Sequence, residues 1–307
     1  MWLDIQIFGF RALWSPYFMT FVLILAVIYF IFTGPKRSVF GDKLSKPTWK
    51  QNAFLYIGLL MLYVAKGSPI DLLSHIMMSA HMVQMVILYF IVPIFLIRGI
   101  PEWMLERFIN VPVIKQIVTF FTIPLIALAL FNSFFALYHL PDIFDFSKSS
   151  QVAHITITIV LFIFALFMWW PIVTPLKEHN RLNPLLKMGF LIGSILMVSI
   201  ACALMIFASK PLYEAYSATG AWIQAMSLCV PAEVLMGLSD TLSGPSMFSP
   251  LTIQEDQQLG GILMMFLQQI IYGFVIAWIF FGWFSKKNME IDPLPDSLPY
   301  SNNVTKR

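Results

Sequence analysis

The chain has 307 residues, 59% of them hydrophobic and 11% charged, with a formal net charge of +3. Soluble domains use roughly 45–50% apolar and 25% charged residues, so the composition excludes a soluble globular protein and indicates a polytopic membrane protein. The small charge, with no basic stretch interleaved with aromatic residues, excludes a nucleic-acid partner.

A helix needs about 20 apolar residues to cross a ~30 Å hydrocarbon core. In chain order the runs that meet this length are 16–34, 52–66, 72–97, 115–138, 152–173, 187–208 and 258–283. The first lacks the basic stretch and small-residue cleavage site of a signal peptide and is expected to be retained. The second, "AFLYIGLLMLYVAKG", is short, so it needs snorkelling from Lys66 or some of the polar residues before it. Pro93 is expected to kink the third, its freed carbonyl being met by a neighbouring helix. "MWWPI", at the end of the fifth, reads as an aromatic belt at the inner interface. The expected fold is therefore all-α: a single seven-helix transmembrane domain over 1–285, followed by a cytoplasmic tail over 286–307.

Lys and Arg set the orientation, because short loops rich in them stay in the cytoplasm. Lys36, Arg37, Lys43, Lys46 and Lys50 follow the first run; Arg98, Arg107 and Lys115 follow the third; Lys177, Arg181 and Lys187 follow the fifth; Lys286, Lys287, Lys306 and Arg307 follow the last. Only Arg11, Lys66, Lys148 and Lys210 fall on the other side. This places the N-terminus outside and the C-terminus in the cytoplasm.

The third run carries "SHIMMSAHMVQM" in what becomes its outer half. At 100° per residue, Met77, His81 and Met85 fall within about 80° of one another, and members four apart rise ~6 Å. That is the spacing by which two histidines on a helix share one zinc ion. His139 ends the fourth run and His154 opens the fifth, so His75, His81, His139 and His154 gather in one leaflet, while His179 is expected in the cytoplasm with no role. Thioether and imidazole together suit Cu(I), whereas Mg or Ca would want oxygens. Most methionines, including Met205, Met264 and Met265, read as packing. Cys202 and Cys229 form no CxxC motif. The apolar segment 209–257 reads as a short or re-entrant helix: a lid over the site, or a segment whose Glu233 and Asp240 face water with no role, the second being favoured. No HExxH motif supports an intramembrane metalloprotease, for which Glu255 and Asp256 would be the available bases.

"SAHMVQM", "IVPIFLIRGIPEW", "ALYHLPDIFD", a His-initiated helix ending in "WWPI", and "DQQLGGILM" follow one another between residues 70 and 283. In order and spacing this series resembles the CtaG proteins of Gram-positive bacteria, seven-helix factors for assembly of caa3-type cytochrome c oxidase. Many relatives read HMxQH at the first motif; here Met85 stands in place of the second His. His81, His139, His154 and Asp256 carry the family pattern. The resemblance implies oxidase maturation with copper delivery; the expected reading is a non-enzymatic assembly factor of the plasma membrane that receives Cu(I) from an extracytoplasmic donor through His81 with Met77 or Met85, shares it with His139 and His154, and delivers it to an oxidase subunit. A metal-free membrane chaperone and a haem carrier are the alternatives.

Overall fold

The structure, a computed structural model, describes residues 2–41, 44–238, 242 and 244–289. Lys43, Asp240 and residues 290–307, which include nearly all of the expected tail, lie outside the described residues. Among the described residues the chain is helical, with no strand. Among the described residues five helices are long and apolar enough to cross a membrane, or up to seven if each of two bent helix pairs is one span.

Helix α1 (Pro16–Thr33) begins on a proline, whose missing N–H costs nothing at a helix start. It packs on α2 (Trp49–Gly67) through Val22, Tyr29, Leu55 and Leu59. The short second run is extended at its start, where Thr48 and Gln51 form a capping box. At its end Ser68 caps α3 (Pro69–Ile76), accepting the Ile70 N–H at 3.2 Å. A bend of 41° separates α2 from α3, and only taken together do they meet the length and apolarity of one candidate span. The expected third span, 72–97, is corrected accordingly. The chain breaks at Met77, and α4 (Met78–Gly99) crosses alone.

Pro93 acts as expected. Having no N–H, it cannot bond the carbonyl of Tyr89 four residues earlier, and the helix widens into a π turn over Ile87–Ile91. The Trp169 Nε1–H donates to that orphaned carbonyl at 3.0 Å. The aromatic-belt reading is thereby corrected: Trp169 and Trp170 are both buried, and Trp169 packs against Tyr272 in the core. Trp169→Phe should cost about 1–3 kcal/mol, because it leaves a buried carbonyl unpaired; thermal unfolding in detergent measures it. At the other end of α4, a Cβ on Gly99 would stand 2.5 Å from the Leu55 backbone nitrogen, so only glycine allows α2 to approach there.

The expected fourth span is also broken. Pro112–Phe121 (α5) and Pro124–Tyr138 (α6) meet at 79°, each opening on a proline. Helix α7 (Pro141–Ser149) then leads to α8 (Gln151–Val173) and α9 (Pro184–Ile206). After the short α10 (Thr219–Met226), α11 (Ile253–Met289) packs along α9 and α4. Deep in the bundle the Ser194 hydroxyl bonds Asn132 Oδ1 and the Tyr272 hydroxyl, both at 2.9 Å, tying α9 to α6 and α11. Polar groups satisfied across helices stabilise association where water is absent.

Candidate metal centre

Met77, with φ −141° and ψ 147°, is extended backbone between two helices. Such a break inside an apolar bundle exposes the last carbonyls of one helix and the first N–H groups of the next, and each must find a partner. The Leu73 carbonyl is met locally by the Met77 N–H at 2.9 Å, and other partners come from distant elements. The Tyr216 hydroxyl donates to the Ser74 carbonyl at 2.6 Å, the Lys148 ammonium donates to the same oxygen at 3.4 Å, and the Trp222 Nε1–H donates to the Ile76 carbonyl at 3.2 Å. Across the break, one Asp256 oxygen accepts the N–H groups of Met78 at 2.6 Å and Ser79 at 3.3 Å, and the other accepts the Ser79 hydroxyl. An anion thus sits at the start of α4 and a cation at the end of α3, each complementing a helix dipole. With both oxygens occupied, Asp256 is a structural cap rather than a free base.

The described parts of the segment 209–257 pack over this break through Tyr216 and Trp222. Asp145 of α7 accepts the N–H groups of Glu214 and Ala215, both at 3.0 Å. Gln257 accepts the Leu212 N–H at 2.7 Å and donates to the Met205 carbonyl at 3.2 Å. Within the segment Tyr213, Tyr216, Trp222 and Met226 are buried. The motif "DQQLGG" gains a physical reading here: Asp256 caps, Gln257 anchors, and a Cβ on Gly260 would meet the Met78 backbone at 3.2 Å. Lys148, expected in an outer loop, is 1% exposed, with Phe144 and Tyr216 rings 5.6 and 5.9 Å from its nitrogen. Burial, with the charge of Lys66 adding to it, pushes its ammonium down to about 7.

The break falls at the head of the expected stripe: Met77 is its extended residue, while the His81 N–H still bonds the Met77 carbonyl at 3.2 Å and Met85 follows on the same helix. His75 lies in the last turn of α3 and His81 in the first turn of α4, and each meets a histidine from another helix. The rings of His75 and His154 have centroids 5.2 Å apart; those of His81 and His139 are 6.3 Å apart. All four are buried. The His75 Nδ1 bonds the Asp71 carbonyl at 2.8 Å and the His139 Nδ1 bonds the Phe135 carbonyl at 2.7 Å. A carbonyl only accepts, so in each ring Nδ1 carries the proton, and the neutral imidazole presents Nε2 as a lone pair. Neither Nε2 has a partner, nor does either nitrogen of His81 or His154. Met85 is buried one turn beyond His81 on the same helix, and Met77 lies at the break itself. Met205 and Met264 are buried in the core. His179 stands apart, 5.8 Å from the Trp170 ring.

One further feature was not legible as part of the site. Asp71 holds the Lys66 ammonium at 2.5 Å and the Gln84 amide at 2.6 Å, fixing α3 against α2 and α4. Cys202 and Cys229 are both free. Among the described residues, no three of His, Cys, Asp and Glu gather as a metal-ion cage. The imidazoles come in twos.

This arrangement defines a class, a polytopic helical membrane protein with paired imidazoles enclosed at a broken helix. The model of one family, cytochrome c oxidase caa3 assembly factor, matches residues 10–286, and the chain belongs to that family. No curated protein and no solved structure gives a match.

Proposed function

We propose that the protein carries Cu(I) as cargo for the oxidase whose assembly its family serves, holding the ion between His75 and His154 and between His81 and His139. The unpartnered imidazole nitrogens carry this reading. A buried polar atom without a hydrogen bond costs about 1–3 kcal/mol, and this cluster leaves Nε2 of His75 and His139 and both nitrogens of His81 and His154 in that condition. A bound cation would repay that cost. Two imidazoles sharing one ion through ~2.0 Å bonds, with each nitrogen ~1.1 Å from its ring centre, have centroids roughly 6–6.5 Å apart when collinear and closer when bent. The observed 5.2 and 6.3 Å fit that limit. A d¹⁰ Cu(I) ion accepts two ligands, whereas Ca or Mg would want a shell of oxygens. Met77 and Met85, on either side of His81, add soft donors suited to exchange. The role is non-catalytic.

The bias of Lys and Arg supports a cluster toward the outer face of the plasma membrane, with the C-terminal tail in the cytoplasm. There an extracytoplasmic copper donor would load it and an oxidase subunit would receive the ion. Deletion should leave the oxidase subunits synthesised but the enzyme inactive. His139→Ala and His154→Ala should reproduce that loss, by roughly tenfold or more, while the protein still accumulates in the membrane. Added copper should partly restore the weaker variants by mass action. Normal maturation in both variants without added copper would rule out delivery and leave a metal-free chaperone.

A further inference from the structure

An apolar groove of about 790 Å³ runs between α1, α2, α4 and α8, lined among others by Phe18, Phe32, Leu62 and Ile159, with Lys66 and His154 contributing to its wall. Phe18 and Phe32 lie fourteen residues apart on α1, so the groove is about 21 Å long. We infer that it holds one phospholipid, with an acyl chain along the groove and the phosphate at Lys66.

Size argues against a protein occupant. A spanning helix is 10–12 Å across and ~30 Å long, displacing roughly 2,400 Å³ or more. A methylene fills about the volume of a water, ~30 Å³, so the groove takes roughly 26 carbons, one long chain with part of a second. The one cationic side chain and the one imidazole among the lining residues lie at one end, whereas the Tyr29 hydroxyl at the other end is already held by Asn52 and Gly99. Lys66 closes α2, and His154, in the first turn of α8, is joined to it through a chain of contacts: Lys66 to Asp71, Asp71 to His75, and the His75 ring to the His154 ring. The ammonium has three donors; one goes to Asp71. Phosphate is the part of a phospholipid that takes such donors. A chain in the groove would also cover the His154 side of the cluster from the bilayer. The inference does not require copper.

The test is native mass spectrometry of the full chain, delipidated in mild detergent and then given phosphatidylglycerol or, separately, diacylglycerol, which lacks the phosphate. One phosphatidylglycerol should be retained. Ile159→Trp fills the groove from a half-exposed position, so folding is preserved and retention should be lost. Lys66→Gln should lower the preference for phosphatidylglycerol over diacylglycerol roughly tenfold, the worth of one charge-assisted hydrogen bond. Equal retention of both lipids by the native chain, or retention unchanged in Ile159→Trp, would overturn the proposal. So would a haem, read from its Soret band, or a transmembrane peptide that Ile159→Trp displaces.

Discussion

His81→Leu and His154→Leu are expected to abolish copper retention at their respective pairs while leaving the protein at least as stable as before. Neither ring makes a hydrogen bond through either nitrogen, so neither substitution breaks one. Each replaces two unsatisfied buried polar atoms by methyl groups of similar volume, a change that is nearly neutral or stabilising by about 1–2 kcal/mol. A histidine kept for structure behaves the other way, since its loss would orphan a partner and lower the melting temperature. Thermal unfolding in detergent, read beside copper content, separates the two. Melting temperatures that fall by many degrees in both variants would make these histidines structural and remove the argument for a ligand.

Asp256→Ala is expected to produce the largest loss of stability. Its carboxylate accepts from the Met78 and Ser79 N–H groups and from the Ser79 hydroxyl, at a buried helix start. Hydrogen bonds to a charged group contribute about 1.5–3 kcal/mol each, and truncation leaves the donors unsatisfied. A cost of at least ~3 kcal/mol follows, enough to reduce accumulation in the membrane several-fold. Asp256→Asn keeps an acceptor but loses the charge, and should fall between. An Asp256→Ala protein that melts and accumulates normally would show that the break at Met77 is held by something else.

The seven apolar runs were legible because each is long, apolar and bounded by polar residues. Two boundaries within them were not read. Pro124 carried a signal for its break, since proline favours a helix start. Met77 carried none: it has neither the fixed φ of proline nor the freedom of glycine, and its extended backbone is held by Asp256 and Tyr216, 179 and 139 residues further along the chain. The burial of Trp169 was hidden in the same way, because the carbonyl it serves belongs to Tyr89, 80 residues earlier. Lys148 looked like a loop cation for want of any local sign of the rings that cover it. Co-location of the four histidines was legible from the alternation of basic loops, which groups their helix ends on one side of the expected topology. Their pairing was not, because a continuous helix would have placed His75 and His81 on one rod, whereas the break gives each its own partner.

Cu(I) titration of the reduced, metal-free protein against a competing chelator tests the central claim most directly. The account predicts that the native chain holds copper at two sites, that His154→Leu loses one, that His81→Leu loses the other, and that the double variant retains none. Copper retained equally by the native chain and the double variant, or held by neither, would contradict it.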